Sequence, residues 1–128
     1  ICSILKIPNL RKRRERMLTY VIIVLAIAAV GGLFLASKIF SGQLAPWPLS
    51  IVHALLGATG LIMLIMVVLE GSGSGSLTAA LALLVIAALG GFYLASIHAK
   101  GNVAPKNIVI IHAGVAVAGF LTLLSVLL

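Results

Sequence analysis

Carboxylates are almost missing from this chain. Its 128 residues include two acidic side chains, Glu15 and Glu70, against nine lysines and arginines. One lies ahead of the first long apolar run and the other after the second, so paired-carboxylate acid–base chemistry and a charge-coupled transport path both lack their parts. Cysteine is represented by Cys2 alone, which excludes an intramolecular disulfide and leaves the redox compartment unreadable. His53 and His112, with Cys2 remote from both, are too few ligands for a typical structural zinc site. GxGxxG and P-loop phosphate cradles are absent. No hydrolytic enzyme is inferred, and an electron carrier or structural subunit is expected rather than a stand-alone enzyme.

Charge is scarce too, at 9% of residues, while 62% are hydrophobic and the mean hydropathy is +1.31. A domain of this size with so little polar surface would expose much of its apolar area to water, so its solvent is expected to be lipid. A hydrocarbon core about 30 Å thick takes roughly 20 apolar residues to cross as a helix. Four such stretches are present: Leu18 to Phe40, Leu49 to Leu69, Leu77 to Ile97, and Ile108 to Leu128. The expected fold class is all-α, an integral membrane four-helix bundle. Little chain is left over, so any function is expected inside the bundle or at its rims.

The basic residues are unevenly placed. Six of the nine fall in the first sixteen positions, at Lys6, Arg11, Lys12, Arg13, Arg14 and Arg16. Beside a membrane helix they read as a positive-inside flank, residues 1 to 17, which holds the N-terminus in the cytoplasm and meets anionic lipid headgroups. No aromatic interleaving or binding motif accompanies them, so nucleic acid is not expected as a partner. The apolar run after the flank is too long for a signal-peptide core and reads as an uncleaved first span. Met17 stands immediately before that span as an alternative start.

Sliding the chain by 59 positions pairs residues 18 to 69 with residues 77 to 128 without a gap, and a residue-by-residue count finds 21 of the 52 pairs identical. The matches include Gly31-Gly32 with Gly90-Gly91, Ala45-Pro46 with Ala104-Pro105, His53-Ala54 with His112-Ala113, and Gly60 with Gly119. The pattern reads as two tandem helix-loop-helix repeats. Each holds an even number of spans, so the repeats are expected to be parallel, related by a pseudo-two-fold axis along the membrane normal. Residues 70 to 76, ending in a GSGSGS run, read as a flexible linker. With the N-terminus inside, the linker and the C-terminus are cytoplasmic, and a bacterial inner membrane is the default location. Pro46, Pro48 and Pro105 suit the first turns of the second and fourth helices, Trp47 suits an interfacial anchor, and Asn107 suits a cap.

The histidine repeated in register is the one lead on chemistry. His53 and His112 fall about one turn inside the outer ends of their helices, and ionisable groups at such depth face a bundle interior and have partners. A two-fold axis sets both imidazoles at one height, facing each other. Below His53 along the helix come Gly57 and Gly60, and below His112 come Ala116 and Gly119, at the spacings that share a helical face. Paired imidazoles above shallow apolar walls are what a flat macrocycle needs, with neutral nitrogens from both sides as iron ligands.

In span count and in the placement of His53 and His112, the chain resembles four-helix membrane b-type cytochromes. The resemblance implies one b haem near the outer face and electron exchange with a quinone or a partner protein. Two other readings of the same residues stay open. The histidines could bond across helices, with the small residues serving as packing seams like Ala54 with Ala58 and Gly114 with Ala118; or they could serve a proton, metal or substrate. On the packing reading the chain is a cofactor-free accessory subunit of a larger respiratory or photosynthetic membrane complex. A minimal carrier or channel is disfavoured by the lack of intramembrane charge and broken helices. His98, matched by Ile39 in the other half, reads as a rim residue, with a third ligand or a proton donor as the alternative. The glycine pairs at 31–32 and 90–91 read chiefly as tight helix crossings.

Overall fold

A computed structural model describes the backbone at residues 2–71 and 75–128 and the side chains at residues 9–71 and 75–128. Cys2 and residues 72–74 of the Gly/Ser run therefore lie outside the described side chains. The described residues form four helices and no strand: α1 (Cys2–Phe40), α2 (Trp47–Leu69), α3 (Gly75–Ala99) and α4 (Lys106–Leu127). All four are long and apolar enough to cross a membrane. Only 17–22% of each apolar window is fully buried within the chain. The remaining apolar surface needs an apolar surrounding, which is the physical content of a multi-pass membrane protein.

The helices start earlier than hydropathy alone suggests. α1 runs through the basic head without a break and reaches 39 residues, about 58 Å at 1.5 Å per residue. Arginine and lysine are good helix formers, so charge ends the apolar run without ending the helix. Glu15 lies 3.3 Å from Arg11, one turn before it, and Glu70 at the end of α2 lies 3.6 Å from Arg13. These exposed pairs are worth little individually. Pro46 and Pro105 occupy the N-cap positions of α2 and α4. Asn107 is therefore not the cap: it sits inside the first turn, where its Oδ1 accepts from the Ile108 amide at 3.0 Å.

Both loops at the far end close in one way. Gly42 and Gly101 each take φ +76°, the left-handed conformation that only glycine adopts at little cost. In the first, the Gly42 amide bonds Ile39 O and the Gln43 amide bonds Lys38 O; in the second, Gly101 bonds His98 O and Asn102 bonds Ile97 O. This double bond satisfies the last carbonyls of α1 and α3 and turns the chain within a few residues into the antiparallel neighbour.

The helices form a square. α1 packs on α2 and α4, α3 packs on α2 and α4, and neither diagonal pair brings described Cα atoms within 8 Å. The core is concentrated at the linker end, where Leu18, Val21, Leu64, Val67, Leu77, Ala80, Leu84 and Leu123 interlock, drawn from all four helices. At the other end the loops close over Ala45 and Ala104, both buried. The seams Ala54 with Ala58 and Gly114 with Ala118 do not hold the bundle together, since all four residues face outward.

Gly60 and Gly119 are close-approach positions, and this corrects the idea that they wall a slot. A methyl group at Gly60 would lie 2.6 Å from Leu25 Cδ2, and one at Gly119 would lie 2.9 Å from Leu84 Cγ. Leucines of the adjacent helix already fill that level. Gly57 differs, with nothing within 4 Å. Gly60→Ala is thus expected to cost about 1–3 kcal/mol by overpacking, whereas Gly57→Ala is expected to gain up to about 1 kcal/mol from helix propensity. Unfolding of the two variants in mixed micelles distinguishes them, and equal stabilities would contradict the packing described.

Candidate functional site

His53 on α2 and His112 on α4 meet across the diagonal of the square. Their ring centroids are 6.3 Å apart with planes at 84°, although the helices carrying them do not touch. Neither ring reaches across unaided, because each is fixed by the helix beside it. His53 Nδ1 lies 2.8 Å from the Ala28 carbonyl of α1, and His112 Nδ1 lies 2.8 Å from the Ala87 carbonyl of α3. A carbonyl only accepts, so Nδ1 carries the hydrogen and donates in both cases. A neutral imidazole then has its lone pair on Nε2.

The glycine pairs explain how the rings gain access. Gly32 follows Ala28 by four residues and so lies on the same face of α1. A methyl group there would meet His53 Cε1 at 2.9 Å, and one at Gly91 would meet His112 Cε1 at 3.1 Å. Glycine leaves the carbonyl uncovered and gives the ring a surface to lie against. Gly31 has only Leu49 Cδ1 near it, at 3.8 Å, and Gly90 meets His112 Nδ1 at 3.6 Å. Gly32, Gly90 and Gly91 therefore lie against imidazoles, whereas Gly31 does not. A signal was present in the sequence: Gly32 precedes His53, and Gly91 precedes His112, by the same interval.

His98 lies in the last turn of α3, at the end of the bundle, with its side chain turned inward. It is buried to 8% relative exposure, stacks on Trp47 with centroids 3.9 Å apart, and shares a hydrogen bond of 3.1 Å between Nδ1 and Ser50 Oγ. Trp47 thus anchors against a neighbour in the bundle. No group of three or more metal-ligating side chains occurs among the described residues, so His98 does not complete a cluster with the pair.

The pair satisfies one condition for axial ligation. Histidines that bind metals ordinarily donate the other ring N–H to a backbone carbonyl or carboxylate, which sets tautomer and orientation; Ala28 and Ala87 supply that here. The centroid separation of 6.3 Å with planes at 84° is that of an edge-to-face ring contact. The surroundings fit in part. Gly57 and Ala116, one turn from the histidines, are small and half-buried. Gly60 and Gly119 lie about 10 Å along the helix from the pair at 1.5 Å per residue, and their leucine contacts form a floor rather than a wall. Comparison with protein-family models, with curated proteins and with solved structures finds no match.

Proposed function

We propose that this chain is a small multi-pass electron-transfer protein in which His53 and His112 are the axial ligands of a b-type haem. The observation that carries the reading is the pair of Nδ1 hydrogen bonds to Ala28 and Ala87, which leaves the Nε2 lone pairs of two neighbouring rings outside those bonds. When bound, such a group supplies a one-electron carrier. The chain's own residues do the rest: α1 and α3 hold the imidazole tautomers, Gly32 and Gly91 admit the rings, and the leucine floor under Gly60 and Gly119 keeps water from the linker end. A quinone or another membrane subunit is the exchange partner. The two halves act as parallel tandem repeats, a reading supported by their matched sequence and by Ala28–His53 and Ala87–His112 bonds of equal length and interval. The basic segment from Arg11 to Arg16 favours a cytoplasmic N-terminus against anionic lipid, in a bacterial inner membrane.

The test is a dithionite-reduced minus oxidised absorption spectrum of the purified protein. A b-type difference spectrum is expected; a folded protein that stays colourless and retains no haem on reconstitution sinks the reading. The second reading, a cofactor-free accessory subunit, is favoured by the same hydrogen bonds taken alone, because each ties one helix to its neighbour and needs no ligand. Stable co-purification with a larger complex, in the absence of haem, would select it.

A further inference from the structure

Among the described residues, His98 is the single buried polar or charged side chain. It lies in the last turn of α3, and both its ring stack and its side-chain hydrogen bond are to α2: the Trp47 indole, parallel within 9°, and the Ser50 hydroxyl. Its Nε2 is enclosed and has no hydrogen-bond partner. A neutral imidazole tolerates this with one unused site. The protonated ring carries a hydrogen on both nitrogens, so Nε2 becomes a donor with no acceptor beside a charge removed from water.

The groups on the packed elements offer no relief. α2 brings His53, one turn beyond Ser50; α4 brings His112 and Lys106; and the loop after α3 brings Lys100. None is bonded to His98, and none is an anion. Glu15 and Glu70 are at the other end of the bundle. The Trp47 face attracts a cation, but a stack on one face offsets less than an enclosed charge with an unpaired donor costs. Trp47 is itself 43% exposed, so the way to water for a charged His98 is past a ring that already lies at the surface.

We propose that Trp47 and His98 form a proton-sensitive clasp at the histidine end of the α2–α3 seam, shut while His98 is neutral and released when it takes up a proton. Release frees the first turn of α2 from α3. Because Ser50 stands one turn before His53, this loosens the helix where it presents its imidazole to the diagonal pair. The clasp rests on the Trp47–Ser50–His98 geometry alone and does not require a ligand between His53 and His112.

Trp47 is the only tryptophan, so its fluorescence reports the clasp without labelling. Acrylamide quenching of the full chain in nanodiscs would be measured across the range in which histidine changes charge, from about pH 8 to about pH 5. A ring covered on one face in the shut state becomes open on both, so the quenching constant is expected to rise about twofold on acidification, with a red shift of the emission. His98→Phe, which keeps a stacking ring but cannot take up a proton, is expected to stay at the shut value at both pH values, while His53→Phe retains the transition. An unchanged quenching constant in the unaltered protein overturns the proposal whether or not the variants fold. So does a transition that persists in His98→Phe or disappears in His53→Phe.

Discussion

Replacing either His53 or His112 by alanine is expected to abolish the b-type difference spectrum while the bundle remains helical. Two separate quantities are at stake. Each substitution removes one interhelical hydrogen bond, to Ala28 or to Ala87, and such bonds within membranes average about 0.6 kcal/mol; that is too small to unfold four packed helices. Axial ligation is a different matter, because both nitrogens act on one iron. The single variants should therefore lose as much as the double variant, the non-additivity expected of groups that work as a unit. Absorption spectra read beside circular dichroism separate the cases. If each single variant retained the spectrum of the unaltered protein, axial ligation by this pair would be excluded. If all variants were colourless, equally folded, and differed by small additive losses in stability, the interhelical-tie reading would stand instead.

The second large effect is expected at a residue that bonds nothing. A methyl group at Gly32 would come within 2.9 Å of His53 Cε1, closer than two carbons tolerate, and the ring atom lies on an imidazole held by its Nδ1 bond. Either the ring leaves the Ala28 carbonyl or α1 and α2 separate. Overpacking of this kind costs about 1–3 kcal/mol, which at 1.4 kcal/mol per decade lowers the correctly held population about 5- to 150-fold. Gly32→Ala is expected to remove most of the haem absorbance, and Gly91→Ala, with its contact at 3.1 Å, to remove less. Gly31→Ala is the control, since it shares the gain in helix propensity and meets only Leu49 Cδ1 at 3.8 Å. Equal haem content in Gly31→Ala and Gly32→Ala would show that Gly32 does not seat the ring.

Several of these features are legible in the sequence. Hydropathy located four helices because each needs a long run of apolar residues, and Pro46 and Pro105 marked where two of them begin. The aligned histidines pointed to a pair at one height. What stayed hidden was orientation about each helix axis. A helix apolar all round carries no polar face to mark its outside, so the small residues under His53 could be read as a slot when Gly60 in fact receives Leu25 and Gly57 faces open space. The seams at Ala54 and Gly114 misled for the same reason. The surroundings of His98 are not legible because the match between the halves gives it no counterpart, and its partners Trp47 and Ser50 lie at the start of α2, two helix lengths and a linker before it. α1 was cut short because hydropathy sees a change of solvent where the backbone sees uninterrupted helix formers.

The interlocked leucines at the linker end divide the labour of the bundle unevenly. The large side chains that are completely enclosed, Leu18, Leu64, Leu77, Leu123, Val21 and Val67, all belong to that end, and the histidines stand beyond it. Local opening draws on the regions with fewest buried contacts, so hydrogen exchange is expected to be slowest in the turns that carry these six side chains and faster in the turns that carry the imidazoles.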